Sequence, residues 1–128
     1  MTATLDSSAL TKMAAHDRAT MARVQRLFER DLWPPIVPTA VLVESLTGTG
    51  PRDARVNRLL RTCNVVDLDS VIARYAAALR TRARAGSAVD AVVVATADTE
   101  ASGVVITGDR DDISRLADHA HNVSIMAI

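Results

Sequence analysis

Four acidic residues stand out by the company they keep. Asp6 closes the short apolar run Thr2–Leu5 and is followed by Ser7 and Ser8. Glu44 is set in Ala40-Val41-Leu42-Val43-Glu44-Ser45-Leu46, where helical spacing puts it on one face with Ala40 and Val41. Asp90 opens Ala91-Val92-Val93-Val94-Ala95, the most apolar run of the chain, and Asp109 follows Ile106-Thr107 by one glycine. A carboxylate on an apolar face is costly unless it is paired or holds a metal. With no lysine in reach by sequence, the four would repel one another, and a divalent cation resolves that conflict. Mg²⁺ or Mn²⁺ takes hard oxygen ligands and keeps several waters. Such an ion lowers the pKa of bound water and stabilises a phosphoryl group under in-line attack.

Each acid also has a structural reading. Asp6 can simply cap a helix, and Ser87-x-x-Asp90 fits a capping box, a role that can coexist with ligation. Asp111 and Asp112 suit the N-cap and first turn of a following helix, where the dipole favours acids. Asp98 and Glu100 follow the apolar run and are expected to face solvent. Only Glu44 fits neither a cap nor a solvated face.

These residues must be positioned by elements that alternate. Thr2–Leu5 reads as a strand, and Ser7 or Ser8 opens a helix to about His16. Asp17 caps a second helix carrying Met21, Val24, Leu27 and Phe28 at helical spacing. Trp33-Pro34-Pro35 breaks it. Ile36-Val37 is a very short strand, and a helix runs from Pro38 or Thr39 to Leu46, stopped by the Gly48–Pro51 turn. Arg52 to Arg61 forms a helix with Val56, Leu59 and Leu60 inward, and Asn64–Leu68 is a third strand. Asp69 or Ser70 caps a long helix to about Ala85, with Ile72, Tyr75, Ala76 and Leu79 inward. The helix from Val89 to about Ala101 is apolar nearly all round, so it is expected to be central, with Gly103 ending it. Val104–Ile106 is an all-apolar strand, a helix runs from about Asp109–Asp112 to His119, and Val123–Met126 is the last strand. The alternation predicts an α/β fold with helices on both faces of a short, mostly parallel sheet of four to five strands. No repeat or linker divides the chain, so residues 1–128 form one domain. In such sheets ligands sit beyond the carboxyl ends of the strands, which is where Asp6 and Asp109 fall.

Composition narrows the function. The chain has 128 residues, and its 15 basic and 15 acidic residues cancel, which argues against a generic DNA-coating protein. Lys12 is the sole lysine; the other basic residues are arginines, suited to bidentate phosphate contacts. Phe28, Trp33 and Tyr75 are the only aromatics, too few for a base-stacking single-strand binder. Cys63 is the only cysteine, so neither an internal disulfide nor a cysteine zinc site is expected. No apolar run is long enough for a membrane span and no secretory signal is visible, so a cytoplasmic protein is expected. A receiver domain needs a late lysine that is missing, and no glycine-rich nucleotide motif or nucleophile elbow is present. His16, His119 and His121 lie outside every motif.

Four blocks occur in order along the whole chain: Asp6-Ser7-Ser8-Ala9-Leu10, Val37-Pro38-Thr39-Ala40-Val41-Leu42-Val43-Glu44, Val89-Asp90-Ala91-Val92-Val93-Val94-Ala95-Thr96-Ala97 and Ile106-Thr107-Gly108-Asp109-Arg110-Asp111-Asp112. Together they resemble a PIN domain, and more narrowly the VapC toxins of bacterial VapBC toxin–antitoxin pairs. The resemblance implies a three-layer α/β/α fold and a Mg²⁺- or Mn²⁺-dependent endoribonuclease that leaves a 5′-phosphate and a 3′-hydroxyl. It implies a VapB-type antitoxin as partner, a homodimer, and an RNA substrate such as tRNA or rRNA. By the same resemblance Asp6, Glu44, Asp90 and Asp109 form the catalytic cluster. Asp6, Asp90 and Asp109 are its metal ligands, with Glu44 and Asp112 as further candidates. Ser8 and Thr107 match supporting hydroxyl positions. Gly108 departs from the pattern, since many relatives carry a larger, often polar or basic residue there.

Arg52, Arg55, Arg80, Arg84 and Arg110 are the candidate RNA-backbone contacts, against the plainer reading of solvated helix faces. Two alternatives remain beside the toxin: a PIN-like module that grips a partner protein with little or no catalysis, and a PIN nuclease acting in RNA processing. The complete acidic set favours an enzyme over the first. Relatives of the second kind tend to be longer.

Overall fold

The computed structural model describes residues 1–128. Its elements follow in the order β1 (Thr2–Leu5), α1 (Ser7–Ala15), α2 (Arg18–Glu29), β2 (Ile36–Pro38), α3 (Thr39–Ser45), α4 (Gly50–Leu60), β3 (Asn64–Val66), α5 (Ser70–Ala83), α6 (Ala88–Asp98), β4 (Gly103–Thr107), α7 (Asp111–Ala117) and β5 (Val123–Ala127). The five strands form one sheet in the order β3-β2-β1-β4-β5. Every pairing is parallel, so the expected "mostly parallel" sheet is wholly so. β1 lies at the centre, with β2 and β3 on one side and β4 and β5 on the other. The chain order reverses between β1 and β4, which opens a crevice at their carboxyl ends.

β1 and β4 are buried through nearly their whole length, as expected of short apolar strands covered on both faces. On one face α6 packs on the sheet, flanked by α5 and α7; on the other lie α1, α2 and α4, with α3 near the rim. α6 is buried continuously from Ala91 to Ala97, which explains its almost uniformly apolar sequence. Gly103 does not end α6 as expected but begins β4. A Cβ there would stand 2.0 Å from the Ala97 carbonyl oxygen, so only glycine lets the strand pass this close to the helix.

Helix starts follow the expected signals. Asp6, Asp17 and Asp69 each accept a backbone N–H as N-cap, and Ser87 with Asp90 forms a complete capping box. α4 begins at Gly50, earlier than expected, with Pro51 in its first turn. Its one fully buried residue is Asp53, while Val56, Leu59 and Leu60 are half-buried. No helix is long and apolar enough to cross a membrane.

Candidate active site

Asp6 is the residue on which the site is built. It is only 4 % exposed, and both carboxylate oxygens are held. Oδ1 accepts the Ala9 N–H at 2.8 Å and the Ser8 hydroxyl at 2.7 Å. Oδ2 accepts the hydroxyl of Thr107, which is fully buried at the end of β4. Each hydroxyl also receives a backbone donor from the loop after β4: Gly108 N–H reaches Ser8 Oγ at 2.8 Å, and Asp109 N–H reaches Thr107 Oγ1 at 3.0 Å. Ser8 and Thr107 therefore clamp the carboxylate and fasten the Asp109 loop to it.

Asp90 lies within reach of the charges of Asp6 and Glu44. Burial pushes the Asp90 carboxyl above the ordinary range; the negative charges of Asp6 and Glu44 push it further in the same direction, against the Ser87 hydrogen bonds. Glu44 Oε1 accepts the Ser7 hydroxyl at 2.6 Å, tying α3 to the residue that follows Asp6. The expected burial of Glu44 is not found. It lies in the last turn of a seven-residue helix, beyond the layer that the core covers, and is exposed, as is the preceding Val43 at 80 %. Its position therefore carries no desolvation penalty of the kind the apolar flanks suggested. Ser7, which the sequence offered only as a helix starter, is the residue that positions it.

Asp109 is exposed one residue beyond Gly108 and is joined to the cluster through its backbone bond to Thr107. Asp111 and Asp112 occupy the first turn of α7, as a dipole argument expects, with Arg110 at the N-cap position. No three acidic or histidine side chains meet as a ready-made metal cage. The donor chemistry nonetheless suits a hard cation. Asp6 Oδ2 has one donor and keeps a lone pair, and Asp90 and Glu44 each hold only one oxygen in a hydrogen bond. Carboxylate oxygens left without a donor fit an ion such as Mg²⁺, which keeps several waters and needs one or two direct carboxylates.

One cation does come near. Lys12 lies one turn beyond Ser8 on α1, and a Cβ on Gly108 would meet its Cε, Cδ and Nζ at 3.0, 3.1 and 3.2 Å. Lys12 thus fills the space a side chain at position 108 would take. Its ammonium donates to the Ile128 carbonyl at 3.4 Å.

Two further acids depart from expectation. Asp98 does not simply face solvent: it accepts the Tyr75 hydroxyl, the His121 N–H and, at 2.7 Å, the Asn122 N–H. It ties α5 and α6 to the approach to β5. Asp53, which drew no notice, accepts Thr47 N–H and Oγ1 at 2.8 Å and Gly48 N–H at 2.9 Å, bracing the turn before α4. Its signal was the polar turn Thr47-Gly48-Thr49-Gly50 just ahead of an acid in a helix's first turn.

The five candidate arginines are all exposed and do not form one patch. Arg55 borders an apolar groove of about 640 Å³ lined by Met13, Met21, Val24, Phe28, Trp33 and Leu59 of α1, α2, α4 and the α2–β2 connection. Arg80 and Arg84 border a smaller recess at the end of α5. Arg52 stands in the first turn of α4, and Arg110 stands beside Asp109.

Comparison with known proteins points the same way. A complex of VapBC2 from Rickettsia felis with a DNA fragment from its promoter contains a chain of TM-score 0.76 at 14 % identity, covering 100 % of this chain and 99 % of that one. A toxin–antitoxin complex from Klebsiella pneumoniae gives 0.69 at 21 % identity, covering 88 % and 90 %. FitAB bound to an IR36 DNA fragment gives 0.68 at 17 % identity, covering 98 % and 94 %. No curated protein matches by sequence. Identities this low show a shared fold. The family model of the PIN domain, however, matches residues 3–119 directly. A match over this much of the chain shows the family: this chain belongs to the PIN domain family.

Proposed function

We propose that the protein is a Mg²⁺- or Mn²⁺-dependent endoribonuclease, the toxin of a type II toxin–antitoxin pair of the VapBC kind. The observation that carries the reading is the buried Asp6 carboxylate at the carboxyl end of β1, clamped by Ser8 and Thr107 with the Asp109 loop fastened to it. Burial, and then the charges of Asp6 and Glu44, raise the Asp90 carboxyl, a tension that is useful around a divalent ion.

Asp6, Asp90 and Asp109 would hold the ion directly or through water, with Asp112 a further candidate at the rim. The ion supplies a lowered pKa for water and charge neutralisation at the phosphoryl group. Ser8 and Thr107 fix the orientation of Asp6, and fixing a ligand's rotamer is what supporting hydrogen bonds do in metal sites. Glu44, held through one oxygen by Ser7, has its other oxygen free to take a proton from the attacking water. The products are then a 5′-phosphate and a 3′-hydroxyl. Arginines on the exposed rim would track the RNA backbone.

The partner reading rests on the structural neighbours and on the groove between α1, α2 and α4. Phe28 and Trp33 stack there with ring centroids 4.8 Å apart, and Phe28 is 49 % exposed. An apolar recess edged by Arg55 and Arg58 fits an amphipathic antitoxin segment with acidic flanks.

The test is cleavage of total RNA by the purified chain, freed of partner, with Mg²⁺ or Mn²⁺ against chelator and with Asp6→Asn in parallel. Asparagine is as good an N-cap as aspartate, so the fold is expected to survive. Discrete cuts that need metal and vanish in the variant support the reading. A folded parent chain that cuts no RNA with either ion refutes it and favours a binding module.

A further inference from the structure

The end of α5 holds a recess that the carboxylate chemistry does not use. It has a volume of about 460 Å³ and is lined by Ala77, Arg80, Thr81, Arg84, Ala85 and Gly86. Arg80, in the last turn of α5, and Arg84, its C-cap, both border the recess, so it is edged by two positive charges. The only side-chain hydrogen bond of either is Arg80 Nε to the Gly86 carbonyl, at 3.4 Å. Neither donates to a carboxylate. Gly86, at φ +80°, turns the chain into α6, and a Cβ on it would lie 3.6 Å from the Asp90 Cβ. The recess therefore shares a wall with the turn that presents Asp90. Arg84 itself is held at φ 51°, a left-handed conformation uncommon outside glycine, as it closes α5.

We propose that this recess binds a backbone phosphate of the RNA, next to the one that faces the carboxylates. This deepens the nuclease reading and rests on it. A polyanion brought to an acidic cluster meets repulsion that a metal ion offsets at one phosphate only. Its neighbour needs a fixed cation close by, and two unpaired guanidinium groups supply it. Arginine's planar fork matches phosphate oxygens bidentately. The small side chains of Ala77, Ala85 and Gly86 leave the recess open to a phosphate with its sugar. Contacts of this kind position the strand without reading its sequence.

The test compares the parent chain with Arg80→Gln/Arg84→Gln, using a single-stranded RNA oligonucleotide that the parent cuts. KM for cleavage is expected to rise about tenfold, with kcat within about twofold. In the non-cleaving Asp6→Asn background, the slope of log affinity against log salt is expected to flatten by about 0.7, the amount for one phosphate contact on a single strand. Arg80→Lys/Arg84→Lys, which keeps the charges, is expected to recover most of the loss. Arg18→Gln/Arg26→Gln on α2 removes the same charge elsewhere and is expected to leave the salt slope nearly unchanged. A fall in kcat with unchanged KM and salt slope would mean that the arginines only hold the turn before Asp90, and the subsite is refuted. Unchanged RNA parameters with weaker binding of an antitoxin would assign the recess to a protein carboxylate and overturn the proposal. A parent that cuts no RNA fails at the nuclease reading, and the subsite falls with it; a parent that cuts while the variant matches it overturns the subsite alone.

Discussion

Thr107→Val is the sharpest single test of how the site is built. Valine has nearly the shape of threonine and suits a strand, so the substitution removes a hydroxyl and little else. That hydroxyl gives its proton to Asp6 Oδ2 and accepts the Asp109 N–H at 3.0 Å. Without it a buried carboxylate oxygen loses its only donor, and the loop after β4 loses its fastening. A hydrogen bond to a charged group contributes about 1.5–3 kcal/mol, and an orphaned backbone N–H costs about 1 kcal/mol or more. The chain is then expected to lose roughly 2–4 kcal/mol, out of a total of about 5–15 kcal/mol for a domain of this kind. It still folds, with Asp6 held through Oδ1 alone. Loss of a ligand's supporting bond typically costs about 10–100-fold in metal affinity or activity. Urea melts give the first number, and cleavage rates across a Mn²⁺ titration give the second. Thr107→Ser is the control: it keeps the hydroxyl, loses a buried methyl, and is expected to be less stable than the parent but nearly as active at saturating metal. A Thr107→Val chain with the parent's metal dependence and rate would refute the clamp.

Three further outcomes are expected. Asp90→Asn removes cleavage while retaining the fold, because the amide oxygen can still accept the Ser87 N–H and complete the capping box. The raised Asp90 carboxyl also fixes a pH dependence: its contribution to stability is full below the ordinary value of 3.8 and is lost as pH rises through the higher folded-state value. Urea melts should therefore show the variant gaining on the parent between acid and neutral pH, and the opposite trend counts against the convergence of the three carboxylates. The phenol of Tyr75, pushed up to about 12 by burial and by Asp98, is the chain's only tyrosine, so alkaline absorbance titration should show one late step. Tyr75→Phe should cost about 1–2 kcal/mol and leave cleavage unchanged, since the bond to Asp98 braces helices away from the site. Phe28→Glu should leave RNA cleavage intact and weaken the complex with an antitoxin, read by co-purification; loss of cleavage with an intact complex would misplace the partner surface.

The parts of this protein legible in sequence are those where local chemistry and tertiary role agree. Asp6, Asp17, Asp69 and Ser87 read as caps because capping needs only the next few residues, and they are caps. α6 read as central because no face of it suits water. Asp6 and Asp109 read as neighbours because a parallel sheet gathers its strand ends, and Thr107 links them. Glu44 was misjudged because periodicity reports a helix face but not how far along the helix the core extends. Asp98 was misjudged because its neighbours, Tyr75 with His121 and Asn122, come from distant segments. Asp53 is a turn brace, and a turn's internal bonds leave only a weak imprint on composition.

The central placement of β1 also sets a timetable. β1 pairs with β4 along its whole length, Thr2 with Gly103 through Leu5 with Ile106, and Asp6 waits for a hydroxyl 101 residues further along the chain. At a synthesis rate of about 5–20 residues per second, Asp6 precedes Thr107 by roughly 5–20 s. Non-local pairing of this kind is late and entropically costly to close. The groove's lining, by contrast, runs only from Met13 to Thr62. Translation thus delivers every residue of the groove well before the last residues of the carboxylate cluster, and a message cut short before β4 yields a chain that cannot assemble the cluster at all.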